Sequence, residues 1–157
     1  MSFDDLPYRP CAGVCLMSGA GKVFAGQRID TPGAWQMPQG GIDPGELPEA
    51  AALRELEEET SVPASAVTIL SESQGWLQYD LPDDLIATLW NGRFRGQQQK
   101  WFLMRLEQPD TVIDLAVANP EFSAWQWMDP PVLLDAIVPF KRDLYTQILT
   151  EFGLLCA

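Results

Sequence analysis

The side chains best suited to chemistry lie in one acidic segment, in which Glu55, Glu58 and Glu59 follow one another at helical spacing. At about 100° per residue, these three side chains fall within an arc of about 100° on one helix face. Glu57 points away from them and is expected to be solvated. Like charges at this spacing destabilise a helix by roughly 0.2–0.5 kcal/mol per pair, and a bound divalent cation would reverse that effect. Mg²⁺ and Mn²⁺ prefer carboxylate oxygens, so the trio could ligate such a cation, but three clustered glutamates by themselves are more typical of a solvated acidic helix face.

Several other kinds of chemistry are excluded by composition. The chain has no histidine, so serine–histidine and cysteine–histidine nucleophiles and zinc–histidine sites are ruled out. Acid–base and metal chemistry therefore falls mainly to carboxylates. The three cysteines, Cys11, Cys15 and Cys156, lack the Cys-x-x-Cys spacing and are expected to be thiols in a reducing cytoplasm.

The charge of the chain limits its partners. Ten Lys and Arg stand against 22 Asp and Glu, for a formal net charge of −12. Extended binding of a phosphate backbone is therefore not expected, and only local positive charge could hold an anionic substrate. The N-terminus is acidic and no apolar run reaches about 18 residues, so neither a secretory signal nor a membrane span is indicated. We expect a cytoplasmic protein, and a monomer.

The elements that must position the glutamates follow from periodicity and from Gly and Pro. Pro48 suits a first helical turn, residues 49–60 are helix formers, and Pro63 prevents any continuation. Leu53 and Leu56 would dock this helix on a core. Extended segments are predicted at 11–17, 66–79, 99–106 and 124–128, and another begins at Val23 and forms a hairpin with 11–17. A long loop is predicted at 31–45, and a second helix at 141–152. This pattern indicates a single α/β or α+β domain over residues 1–157, with a mixed sheet and few helices.

The acidic helix and the loop before it resemble the Nudix box, G-x5-E-x7-R-E-U-x-E-E-x-G-U, where U is aliphatic. Eight of its nine defined positions agree over residues 40–62: Gly40, Glu46, Arg54, Glu55, Leu56, Glu58, Glu59 and Val62. The exception is Ser61, where the family has a glycine that commonly ends the helix in a left-handed conformation. A serine in that conformation costs on the order of 1 kcal/mol, so we expect a slightly altered helix end and retained activity.

The resemblance covers nearly the whole chain. It includes Tyr8-Arg9-Pro10, the run from Trp35 to Gly41, Trp76-Leu77-Gln78-Tyr79, Gln99-Lys100-Trp101-Phe102, Pro120-Glu121-Phe122 and Phe140-Lys141-Arg142-Asp143. These segments are similar to the bacterial RNA 5′-pyrophosphohydrolases and the closely similar dinucleoside polyphosphate hydrolases. The resemblance implies the Nudix fold, a mixed sheet sandwiched between helices.

The same resemblance implies a Mg²⁺- or Mn²⁺-dependent site. Glu55, Glu58 and Glu59 would ligate the metal, and Glu121 would add a further ligand or act on the attacking water. Arg54 would orient a glutamate of the box by ion pairing, while Glu46 and Gly40 would have structural roles in the loop.

Substrate-binding residues are also implied by the resemblance. Arg9, Arg28, Lys100 and Lys141 would bind the phosphates or the nucleotide. Tyr79 either contacts the substrate or packs within its strand. Phe140 either stacks on a base or anchors the C-terminal helix in the core.

The function expected from the resemblance is metal-dependent hydrolysis of phosphoanhydride bonds. The set of segments that resemble the RNA 5′-pyrophosphohydrolases favours removal of pyrophosphate from 5′-triphosphate RNA. The alternative is a dedicated dinucleoside polyphosphate hydrolase, such as one for diadenosine tetraphosphate. Tyr79 and the net negative charge of the chain leave this alternative open. The context of Gln39, Gly40 and Gly41 argues against a mononucleotide or nucleotide-sugar hydrolase. A non-catalytic nucleotide sensor would be expected to lack part of the glutamate set, which is intact here.

Overall fold

The fold is organised around two long parallel strands at the centre of a mixed sheet. In the computed structural model, which describes residues 5–155, β1 (Tyr8–Met17) pairs in parallel with β7 (Gly96–Leu106), from Tyr8 opposite Gly96 to Met17 opposite Arg105. The other strands are β2 (Val23–Arg28), β3 (Trp35–Gln36), β4 (Gln39–Gly41), β5 (Val67–Glu72), β6 (Leu77–Asp80) and β8 (Phe122–Met128). Every pairing other than β1 with β7 is antiparallel.

The main strand order is β3-β2-β1-β7-β5, with β4 on β1, β6 on β7 and β8 on β2. The helices are α1 (Pro48–Thr60), α2 (Asp83–Ile86), α3 (Pro130–Ala136) and α4 (Arg142–Glu151). Short 3-10 turns lie at Ala64–Ala66, Leu89–Gly92, Asp110–Val112 and Pro139–Lys141. The predicted mixed sheet with few helices is confirmed.

Helices cover both faces of the sheet because side chains alternate along each strand. Val14 and Phe102 pack with Leu56 of α1 in one buried cluster. On the opposite face, Cys15 and Trp101 pack in a second cluster with α3 and α4. The helices of residues 5–155 include none that is both long and apolar enough to cross a bilayer.

The predicted hairpin is confirmed only at its turn. The register between β1 and β2 is Met17 opposite Val23, whereas β2 runs along β8 from Val23 opposite Met128 to Arg28 opposite Phe122. This distant pairing joins segments about a hundred residues apart, which local periodicity cannot reveal.

Other predicted elements need smaller corrections. The loop predicted at 31–45 contains β3 and β4, and the extended segment at 66–79 is divided into β5 and β6. The helix predicted at 141–152 runs from Arg142 to Glu151, and α2 and α3 were not predicted. Cys11 and Cys15 are buried free thiols, as expected, and Cys156 lies outside the described residues.

The end of α1 differs from the expectation based on Ser61. Ser61 adopts the left-handed conformation itself, with φ 66° and ψ 5°, so the altered helix end is not observed. Its N–H donates to the Glu57 carbonyl at 2.9 Å, and its hydroxyl donates to the Asp114 carbonyl at 2.8 Å. The hydroxyl contact offsets part of the cost of left-handed backbone at a residue with a Cβ.

Candidate active site

Residues distant in sequence come together around one cleft of about 470 Å³. Its lining includes Glu55, Glu58 and Glu59 from α1, with Glu121 from the segment just before β8. It also includes positive and aromatic side chains: Arg9, Arg28, Lys141, Tyr79 and Phe140. The four glutamates also border a second depression of about 450 Å³, formed with residues 117–119. The cleft therefore brings four glutamates and three cations together in one lining.

Arg54 fastens the loop before α1 to the helix. Its guanidinium donates two hydrogen bonds of 2.8 Å to the two carboxylate oxygens of Glu46, and a third, also 2.8 Å, to the Gly41 carbonyl. Its remaining nitrogen donates to Glu55 at 2.8 Å and to Glu58 at 3.2 Å. These contacts hold the pKa of Glu46 down to about 2. Arg54 thus links the loop to two of the clustered glutamates.

The carboxylate of Glu55 lies directly over Gly40. A Cβ added to Gly40 would overlap that carboxylate, so the glycine leaves the space that Glu55 occupies. Burial raises the pKa of Glu55, and the hydrogen bond and charge of Arg54 act in the opposite direction. Because the cation offsets the penalty of burial, Arg54 helps to keep Glu55 ionised.

Glu59 is the most enclosed of the acidic side chains, at 4% exposed. Its Oε2 is buried and has no hydrogen-bond partner among the described residues. Burial raises the pKa of Glu59 well above its ordinary value, and the charges of Glu55 and Glu121 raise it further. An orphaned buried carboxylate oxygen beside other carboxylates is costly unless a cation or proton satisfies it.

The donor set fits a hard divalent cation. Within residues 5–155, no three acidic or thiol side chains are arranged closely enough to hold an ion as they stand. Mg²⁺ does not require such a cage, because it is commonly bound by one or two carboxylates together with waters and substrate phosphates. The unsatisfied Oε2 of Glu59, next to the half-exposed Glu58, provides oxygen ligands of that kind.

The three cations of the cleft have different surroundings. Arg28 is paired with Asp30 through two hydrogen bonds of 2.9 and 2.7 Å. Lys141 is buried at 6% exposed, and burial followed by the charge of Arg28 lowers its pKa to about 8. Arg9 has no carboxylate within ion-pair distance in the part of the chain that the structure describes.

Two aromatic side chains lie beside Lys141 in the lining of the cleft. Tyr79, at 8% exposed, lies with its ring centroid 5.8 Å from that of Phe140 and 5.4 Å from the Lys141 ammonium. Burial raises the pKa of Tyr79, so its hydroxyl stays protonated. Both rings border the cleft as well as the core, and each of the two roles considered for them is compatible with this position.

Lys100 is not brought into the cleft. Its ammonium donates to the Ser73 carbonyl at 3.1 Å and lies 3.9 Å from Glu72. The neighbouring residue Gln97 of the same strand lines the cleft instead. The position of Lys100 gives no support to a direct phosphate contact.

Comparison with known proteins shows the family. The model of the NUDIX domain matches residues 7–148. The chain belongs to the NUDIX domain family. It is 56% identical to a protein of Roseobacter denitrificans called RNA pyrophosphohydrolase, over 94% of this chain and 92% of the relative. A Novosphingobium aromaticivorans protein of the same name is 56% identical over 96% of each chain.

A solved structure shares the Nudix fold at lower identity. The C. elegans Ap4A hydrolase, in a binary complex, superposes with a TM-score of 0.69 at 23% identity, over 94% of this chain and 99% of that one. The family model and the two relatives confirm the resemblance to Nudix hydrolases, which rested on the residues alone.

Sequence reasoning did not assign a role to several other residues of the cleft, among them Gln36, Gln97 and Trp90. Gln36 is 5% exposed and its Oε1 is buried without a partner among residues 5–155. Gln97 is buried at 2% and accepts a hydrogen bond from Gln99. Gln36 belongs to the run from Trp35 to Gly41 that carries the resemblance, which could have drawn attention to it. Trp90 also lines the cleft, and no motif pointed to it.

Proposed function

We propose that this chain removes pyrophosphate from the 5′-triphosphate end of RNA and also hydrolyses dinucleoside polyphosphates, in reactions that depend on Mg²⁺ or Mn²⁺. The observation that carries the proposal is the cleft itself, whose lining combines four glutamates with Arg9, Arg28 and Lys141. The names of relatives that are 50–56% identical over more than nine-tenths of this chain support RNA as the substrate.

The glutamates would hold the metal. Glu58 and Glu59 offer the available oxygens, and Arg54 orients Glu55 toward them. A divalent cation bound there supplies charge neutralisation for the phosphates and a supply of hydroxide near neutral pH. The protein needs no covalent intermediate, because water attacks phosphorus in line. Glu121, which is exposed and lines the cleft, would bind a further ion or accept a proton from that water.

The three cations of the cleft would bind the phosphate chain of the substrate. Arg9 has no ion pair among residues 5–155, so it can approach an anion without first losing one there. Lys141 has been partly desolvated by folding and would gain from a neighbouring anion. Phosphates bound between these cations and the glutamates would present an anhydride bond to the metal-binding helix.

The substrate class is tested by parallel hydrolysis. The purified protein, with Mg²⁺ or Mn²⁺, is given a short 5′-triphosphate RNA and diadenosine tetraphosphate, and kcat/KM is measured for both. A larger value for the RNA, with pyrophosphate or phosphate released, is expected. Cleavage of neither substrate with either metal would contradict the proposed activity.

A dedicated dinucleoside polyphosphate hydrolase is the second candidate. It is favoured by the position of Tyr79, which borders the cleft beside Phe140 and Lys141, where it could meet a second nucleoside. A kcat/KM that is higher for diadenosine tetraphosphate, and that falls in Tyr79→Ala more than the RNA value does, would favour this candidate.

A further inference from the structure

The turn after α2 presents a tryptophan in an unusual backbone conformation. Trp90 has φ 50° and ψ 36°, and it is followed by Asn91 at φ 59° and Gly92 at φ 70°. Left-handed backbone suits glycine and asparagine, but it costs a bulky residue roughly 1–2 kcal/mol. Contacts of the side chain must therefore help to hold Trp90 in this conformation.

Those contacts lead to Arg9 at the edge of the cleft. The Arg9 guanidinium carbon lies 5.2 Å from the centroid of the Trp90 ring. Phe94 packs against the same indole in a T-shaped arrangement, with centroids 6.1 Å apart. Trp90 is half-buried against the core cluster that includes α4, which limits movement of the ring.

Among the described residues, the other direct contacts of Arg9 are with uncharged groups, although its charge also acts to lower the pKa of Glu55. Its Nη1 lies 3.3 Å from the Cys11 sulfur, and a Cβ on Gly41 would come within 2.6 Å of its Nη2. Arg28 differs from Arg9 because it donates two hydrogen bonds to the Asp30 carboxylate, which neutralises its charge. A tryptophan ring can orient a guanidinium without placing a full negative charge beside it. Arg9 is thus held in place and keeps its charge for an anion.

We propose that Trp90 is a positioning residue, which holds the Arg9 guanidinium toward the cleft so that it binds the phosphate chain of the substrate. The inference rests on the proposed function of the cleft and adds a residue of the Leu89–Gly92 turn to it. Trp90 acts through Arg9 in this account, and it makes no required contact with the substrate.

The proposal is tested by steady-state kinetics on the 5′-triphosphate RNA. Trp90→Leu raises KM about 3- to 30-fold, the range that corresponds to loss of a cation–π contact, with kcat nearly unchanged. Trp90→Phe keeps a ring and restores most of the binding. Trp76→Leu is the matched control, because Trp76 is 43% exposed and does not line the cleft. We expect that variant to have the wild-type KM.

A double-mutant cycle separates positioning from direct binding. Arg9→Gln raises KM by itself, and in that background Trp90→Leu causes no further rise. An equal rise in both backgrounds would show that the indole meets the substrate directly, and it would overturn the proposal. An unchanged KM in folded Trp90→Leu would also overturn it.

Misfolding of Trp90→Leu and failure of the proposed function can each be recognised. Should Trp90→Leu fail to fold, Trp90→Met replaces it, since it also removes the ring, and KM then rises only when Arg9 is present. Failure of the proposed function would be seen in the wild-type protein, as absence of hydrolysis. Failure of this inference alone would leave an active enzyme whose KM does not respond to Trp90.

Discussion

Glu55, Glu58 and Glu59 are similar in sequence but have different surroundings. Arg54 binds Glu55 at 2.8 Å, Glu58 is 56% exposed, and Glu59 is enclosed with an unsatisfied oxygen. Helical periodicity predicts that the three share a face, and the structure places them around the same cleft. Their individual environments depend on β4 and on the segment before β8, so spacing within the helix could not predict them.

Gly40 gives a prediction about the position of Glu55. Gly40→Ala would push the Glu55 carboxylate aside, and we expect kcat/KM to fall by about 10-fold or more, since misplacing a catalytic group is costly. The overlap is with the end of a flexible side chain, so the thermal midpoint should change little. Gly75→Ala is the control, because its Cβ would meet nothing within 4 Å. Unchanged kinetics in Gly40→Ala would contradict the role given to Glu55.

Lys141 gives a prediction about pH. Its pKa is lowered to about 8, so the ammonium is present below that pH and is lost as the pH rises through it. Binding of an anionic substrate should therefore weaken, with KM rising about 10-fold between roughly pH 7 and 9, the loss of one charge-assisted contact. Lys141→Met should have a high KM without this rise. An identical pH dependence of KM in the two proteins would assign the titration to another group.

At the scale of elements, α1 was predicted within one residue of its observed start, because its caps and composition are local signals. The start of β7 was predicted three residues late, and the pairing of β2 with β8 was not predicted at all. Strand partners depend on packing between distant segments. For the same reason the sequence could name Arg9 and Lys141 but could not predict Trp90 beside Arg9, or that Lys100 would lie away from the cleft.

The end of α1 can be tested with two substitutions at Ser61. Both substitutions remove the hydroxyl contact with the Asp114 carbonyl, but only Ser61→Gly relieves the strain of left-handed backbone at a residue with a Cβ. We expect Ser61→Gly to be more stable than Ser61→Ala by about 1 kcal/mol in urea unfolding, with similar kcat/KM in both. Equal stability would show that the conformation of Ser61 carries no cost.

The connection between the loop and α1 can be tested at Arg54. Lysine keeps the charge but cannot donate to both oxygens of Glu46 and also reach Gly41 and Glu55. Arg54→Lys should lower the free energy of unfolding by about 1–3 kcal/mol, the range for hydrogen bonds to charged groups, and should also lower kcat. Arg105→Lys is the control, since its ion pair with Glu107 is exposed on the surface. Equal effects of the two substitutions would contradict a special role for Arg54.

At the scale of the whole molecule, the net charge of −12 restricts how RNA could bind. Positive side chains line the cleft, but the overall charge opposes a long phosphate backbone outside it. We expect KM for a 5′-triphosphate RNA to be nearly the same for a strand of a few nucleotides and for a much longer one. A KM that falls steadily with length would indicate an extended RNA-binding surface that this account does not include.

We propose that the glutamate face of α1 is responsible for the hydrolysis. The most direct test is the single-turnover rate at which Glu58→Gln releases pyrophosphate from 5′-triphosphate RNA. Glu49→Gln is the matched control, because Glu49 is exposed on the first turn of the same helix and does not line the cleft. We expect a rate about 100-fold or more below wild type for Glu58→Gln and a wild-type rate for Glu49→Gln. A wild-type rate in folded Glu58→Gln would contradict this proposal.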